Sequence, residues 1–206
     1  QDIISKKPIK YQYVPLYNTQ SGFASFLIPP VLMLIIQQTL LLGIGMSMGR
    51  AREKNGGLII PMNRHYKNAV KIVLGKGLVY FLLYFALSIF MFVYVTKAFQ
   101  LPQLGNYLTL LTFITPFLLS CIFFAMITSA FVYRREDCIM LFVFISVPLL
   151  FISGISWPWS DVPDFWKHVS YIFPVTFGLN GYVRINNMGA NLYDIAYEYR
   201  CLWLQA

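Results

Sequence analysis

The chain has 206 residues, 58% hydrophobic, 17% aromatic and 12% charged, with a formal net charge of +8. Soluble domains run at roughly 45–50% apolar and about 25% charged, so this composition excludes a water-soluble globule and indicates a membrane protein. The basic residues lie between apolar runs and form no single stripe, which excludes nucleic acid as the partner their charge serves.

Residues 1–20 precede the first apolar run. They begin at Gln1 with no Met, no basic n-region and no small-residue cleavage site of a signal peptide, which reads as a processed form or a piece of a longer chain. Four uncharged apolar runs follow, at 23–48, 78–96, 107–133 and 138–156. Each is close to the ~20 residues that a helix needs to cross a hydrocarbon core of about 30 Å. They lack the alternation of barrel strands, so they read as α-helices, the form that satisfies its own backbone in lipid. The predicted fold is all-α: a polytopic membrane protein with four spans.

The connecting segments orient the spans. Residues 49–77 and the turn "RRED" at 134–137 together hold nine Lys/Arg against three Asp/Glu, whereas the other flanks hold seven against five. Both belong in the cytoplasm by the positive-inside rule, which places the N-terminal and C-terminal segments outside. Lys6, Lys7 and Lys10 then lie outside, close to the first span. A long translocated domain before them would account for that, because such domains largely escape the charge rule. All four tryptophans, at 157, 159, 166 and 203, fall in the outer segment, where an interfacial belt would hold them.

Within the spans the polar residues are few. Gln37 and Gln38 in the first and Thr112 and Thr115 in the third are candidates for a substrate path or for hydrogen bonds between helices. Gly45 and Gly49 make a GxxxG pair that permits close helix approach, with Gly43 as a further small site. Residues 49–77 mix charge with Leu58, Ile59, Ile60, Met62, Val70 and Ile72, a pattern that predicts short amphipathic helices on the membrane surface and a docking partner. At 157–185, Pro158, Pro163 and Pro174 interrupt a stretch that Gly178 and Gly181 weaken further, which predicts a re-entrant hairpin entering the outer leaflet and returning.

No catalytic constellation accompanies these features. His65 and His168 fall on opposite sides of the membrane, no Asp, Glu or His lies within a span, and "LGKGL" at 74–78 lacks the frame of a phosphate loop. The chain is predicted to be no enzyme, with no cofactor or metal of its own.

The stretches "FLIPPVLMLIIQQTLLLGIGMSMGRAREKNGG", "IIPMNRHYKNAVKIVLGKGLVYFLLY" and "FISGISWPWSDVPDFWKHVSYIFPVTFGLNGYVRINNMGA" resemble ABC type-2 exporter permeases. The likeness is greatest to the bacterial drug-exporter-like branch, whose permeases carry a large extracytoplasmic domain after the first of six helices. The resemblance makes residues 1–20 the tail of that domain and residues 21–206 the transmembrane permease domain, with its four spans as the family's second to fifth helices. It implies a cytoplasmic ATPase partner, with ATP and Mg bound there, that docks on a coupling segment comprising Arg50, Arg52, Glu53, Gly56, Ile59, Ile60 and Pro61. It also implies an outer re-entrant gate built from Gly154, Trp157, Pro158, Pro163, Trp166, Pro174, Gly178 and Gly181. A second permease would face the first across the substrate path, in the bilayer of the cell (inner) membrane. Where the family's basic-acidic turn ends in Glu-x-Gly-Thr, this chain has "EKNGG", with Gly57 in place of the Thr. A non-transporting membrane anchor or assembly module is the alternative function, and a membrane-embedded enzyme acting on lipid is a further one.

Overall fold

The structure is a computed structural model that describes residues 23–56, 69–101, 103–132, 134–153 and 162–206, the side chains of 23–26, 69 and 150 excepted. Every regular element among them is helical. Helix α1 spans Phe23–Lys54, six residues beyond the predicted run. The basic tail stays helical because Arg52 and Lys54 in the last turn complement the negative end of the helix dipole. Gly56, at φ 62°, ends it in the left-handed conformation that glycine adopts without penalty. Helix α2, Ala69–Ile89, passes into a π-helical segment, Phe90–Val95, and the short α3, Thr96–Ala98, so that the chain is helical from 69 to 98. Residues 49–54 and 69–77, predicted as part of a separate surface segment, are therefore ends of the long helices, and 57–68 lie outside the described residues.

Helix α4, Tyr107–Phe131, starts at Asn106, whose side-chain oxygen accepts from the Leu108 amide at 3.0 Å and serves as its N-cap. Helix α5, Arg135–Ile152, carries Glu136 and Asp137 in its first turn, where acidic groups suit the positive end of the dipole. Among the described residues, three helical stretches are long and apolar enough to cross a membrane: Leu27–Lys54, Val70–Ala98 and Tyr107–Phe131. The predicted fourth run, 138–156, meets a helix that ends at Ile152, with 154–156 outside the described residues. After the charged first turn, residues 138–152 rise about 22 Å at 1.5 Å per residue, short of a full hydrocarbon core.

Helix α4 is the centre of the bundle. Leu110, Phe113, Ile114, Phe117, Leu118, Cys121, Ile122 and Ala125 are buried along it. Helix α1 packs on α4 and α5, and α2 packs on α4 while leaving Leu78, Val79, Leu82 and Leu83 exposed. The α1–α5 contact is close because a Cβ at Gly45 would lie 3.0 Å from the Phe142 ring, and one at Gly49 would lie 2.9 Å from Arg135 Cα. Here the GxxxG spacing does what small-residue pairs do between membrane helices.

Three shorter helices follow. Helix α6, Asp164–Ser170, is followed by a break at 171–173 and then by α7, Pro174–Met188, which has its proline in the first turn and Gly189 as a left-handed cap at φ 67°. Proline fits that first turn because the amide it lacks would have no helical partner there. Gly178 and Gly181 do not weaken α7 as the sequence predicts. Both are buried within it, and a Cβ on either would overlap the ring of Phe117 or Phe113, respectively. Their missing side chains let α7 lie directly against α4. Phe173 meets Phe124 edge-on with ring centroids 5.5 Å apart, and at the other end the Leu104 amide donates to the Asn186 carbonyl at 2.9 Å. Helix α7 thus runs antiparallel to α4, and the 171–173 turn sits beside Phe124. That residue is 17 positions past the start of α4, about 26 Å along the helix. Helix α8, Ala196–Gln205, runs back along α7: Tyr197 lies against Phe177, and the Gln205 amide donates to the Tyr171 carbonyl at 2.8 Å.

Candidate functional site

The functional residues predicted from the sequence divide among three places. At the cytoplasmic end by the predicted orientation, Arg50 is exposed and Glu53 pairs with Arg135 at 3.2 Å on the surface. Arg52 is buried, with 8% of its surface exposed, and its guanidinium donates to the carbonyls of Ala130 and Val132. Those carbonyls belong to the last turn and C-cap of α4, where a helix has no internal donors left. Both bonds carry the full charge of the guanidinium, which makes them stronger than neutral ones. Arg52 and Glu53, adjacent in sequence, therefore fasten the end of α1 to the end of α4 and to the start of α5. The sequence assigned Arg52 to a docking surface. What distinguishes it structurally is its helical phase, which turns it toward the bundle and leaves Arg50 and Glu53 outward. Ile59, Ile60 and Pro61 lie outside the described residues.

In the segment predicted to lie outside, Pro163 precedes α6 and Trp166 is exposed within it, while Pro174, Gly178 and Gly181 are all buried in α7. Gly154, Trp157 and Pro158 lie outside the described residues. Helix α7 also brings in groups that the sequence did not single out. Tyr182 is fully buried with its ring 4.8 Å from that of Phe92, and Arg184 pairs with Glu198 of α8 at 2.8 Å. A lone arginine in the otherwise uncharged stretch 168–193 was the available signal for that pair.

The third place is a cavity of about 370 Å³ between α1, α4 and α5, lined also by Ile172 and Phe173 of the α6–α7 turn. Gln37 and Gln38 line it together with Phe124, Phe131, Phe142 and Leu149. Gln37 is 1% exposed, and neither its amide nitrogen nor its oxygen has a hydrogen-bond partner; the buried oxygen of Gln38 also lacks one. Thr112 and Thr115 do not join them. Thr112 is on the exposed side of α4, Thr115 lines a separate apolar groove against α2, and both hydroxyls donate to the carbonyls four and four residues back, Leu108 and Leu111. The candidate path therefore contains the glutamines without the threonines.

Among the described residues no group of three His, Cys, Asp or Glu side chains gathers as metal ligands would. Cys121 and Cys138 are buried apart in the bundle, and Cys201 is partly exposed on α8. No curated protein and no solved structure matches the chain. The family model described as ABC-2 family transporter protein matches residues 1–206, and with its apolar helices packed around α4 the chain belongs to that family, as a multi-pass membrane permease component of an ABC transporter.

Proposed function

We propose that the chain is the membrane half of an ATP-driven exporter, moved by a separate cytoplasmic ATPase that carries ATP and Mg and docks on residues 50–61. The observation that carries this reading is the fastening of α1 to α4 and α5 through Arg52 and Glu53. A push on the segment after Lys54 reaches three membrane helices as one unit, because the charge-assisted bonds of Arg52 hold the two ends together. Four crossings, a second permease across the substrate path and residence in the inner membrane complete the reading. In it, α5 crosses with the help of residues beyond Ile152.

The outer gate in this proposal is a re-entrant hairpin made by α6 and α7. Its support is the antiparallel course of α7 along α4, with the turn at Phe173 beside Phe124 and well down the length of α4. Broken helix at membrane depth is tolerated where protein shelters its backbone, and Pro174 to Leu179 are buried. Cargo leaving outward would pass this hairpin.

The test pairs the chain with its ATPase in proteoliposomes. Reversing Glu53 to Lys, with Ile59→Asp and Ile60→Asp, is expected to lower transport-stimulated ATP hydrolysis at least tenfold while membrane insertion is unchanged. Unaltered hydrolysis and transport in that triple variant would remove the docking site, and a complex that assembles but never moves substrate would make the chain an anchor.

A further inference from the structure

We infer that the cavity at Gln37 and Gln38 binds an amphiphile with an uncharged head that both donates and accepts hydrogen bonds, such as a hydroxyl or carboxamide, attached to an apolar chain.

The first observation is the pair of unpartnered glutamines. A buried amide without partners forfeits the hydrogen bonds it would make to water, and buried polar groups are otherwise nearly always satisfied. Gln37 leaves both ends of its amide open, and Gln38 adds an open oxygen beside it. The amide nitrogen requires an acceptor and the oxygens require donors, so the complementary head carries both. A hydroxyl or an amide does; a carboxylate or an ammonium supplies only one kind.

The remaining walls decide the charge and the body of the ligand. The lining is Leu, Ile, Val and Phe apart from the glutamines and Thr128, whose hydroxyl already donates to Phe124 and Ala125 carbonyls. Among the described residues no charged side chain lines the cavity, so an ionised head would be buried there without a counter-ion, which is far costlier than burying a neutral one. Its volume of about 370 Å³ falls in the range of small-molecule sites. Phe124 and Phe173 meet edge-on in its wall, and Phe131, seven residues further along α4, belongs to the same wall. This apolar wall would take the chain of the ligand while the glutamines take its head. The groove between α2 and α4 is a contrast inside the same molecule. It is as apolar, but Thr115, the one polar side chain among its described lining residues, is satisfied, so it suits lipid tails without selecting a head.

That such a ligand is cargo rests on the transport reading above; that it binds does not. The test therefore uses the full chain in native membranes without nucleotide. Three photoreactive probes carry the same diazirine-bearing alkyl chain: a 1-acylglycerol, the free fatty acid at pH 8, and the alkane. Adducts are counted by mass spectrometry on residues 124–132 and 141–149. The acylglycerol is expected to label both segments saturably and at least fivefold above the alkane and the fatty acid. Gln37→Leu combined with Gln38→Leu is expected to bring it down to the alkane level, with labelling by the alkane unchanged as evidence that the cavity persists. A more conservative Gln37→Asn variant should retain partial labelling. Non-saturable acylglycerol labelling, equal labelling in the Leu variant, or fatty-acid labelling as strong as that by the acylglycerol would each overturn the assignment. If labelling holds while ATP-driven export by the assembled complex fails, the transport reading falls and the site stands; the opposite pair of results removes the site alone.

Discussion

Single residues here divide into those that fill space, those that leave it and those that carry an unmet bond. Gly178 leaves room for the Phe117 ring, and Gly181 does the same for Phe113. Gly178→Ala is expected to cost about 1–3 kcal/mol by forcing the helices apart, and a second change, Phe117→Leu, should recover part of it. Thermal unfolding of the purified protein in detergent reads both. Gln37 should behave in the opposite way. Its amide is buried without a partner, so Gln37→Leu removes a desolvation penalty of about 1–3 kcal/mol and is expected to leave the unfolding temperature unchanged or higher. A sizeable fall would mean that the amide is satisfied in the native membrane protein without a ligand. A glycine and a glutamine are equally unremarkable letters in an apolar run; their neighbours across the interface decide what each does.

At the level of elements, the contact of α1 with α4 and α5 is held at two heights. Gly45 and Gly49 allow the backbones to approach, and three residues beyond Gly49 Arg52 ties the ends. Arg52→Leu leaves the Ala130 and Val132 carbonyls without that donor and should destabilise the protein by about 1–3 kcal/mol. Arg52→Lys is expected to rescue little, because a single ammonium cannot reproduce the planar fork that reaches two carbonyls at once. The readouts are unfolding temperature and, in the assembled transporter, the ratio of ATP hydrolysed to substrate moved. If that ratio is unchanged in Arg52→Leu, the tie is structural and carries no coupling. Helix α2 is the contrasting element: its long apolar side is exposed, as a helix facing lipid would be, and α4 is its main support.

For the whole molecule the orientation is the quantity to measure. Single cysteines at 54 and 134, in a background lacking Cys121, Cys138 and Cys201, should be shielded from an impermeant maleimide in intact cells, and those at 97 and 159 should react. Labelling at 54 with none at 159 would invert the topology. A scan from 169 to 185 tests the hairpin. The re-entrant reading requires protection from Phe173 to Phe177, whereas a helix lying flat on the leaflet would label with a period of three to four residues throughout. The burial of Pro174 to Leu179 against α4 and α1 is the reason to expect protection.

The sequence by itself determined the solvent and the kind of element. Its apolar runs are too long and too free of charge for anything but helices in a membrane, and the placement of Lys and Arg gives the orientation to be tested, because both readings depend on composition along the chain and not on partners. It also marked Gly45 and Gly49 as a close-packing pair, since that spacing puts two small residues on one helix face. Tertiary structure decided the rest. The split of Gln37 and Gln38 from Thr112 and Thr115 follows from which faces of α1 and α4 turn toward each other, and four polar residues in uniformly apolar helices carry no periodicity that reveals it. The burial of Arg52 depends on the distant end of α4 arriving with two free carbonyls. Gly178 and Gly181, which by local propensity weaken a helix, stabilise this one because two phenylalanines some sixty-five residues earlier need the space they leave.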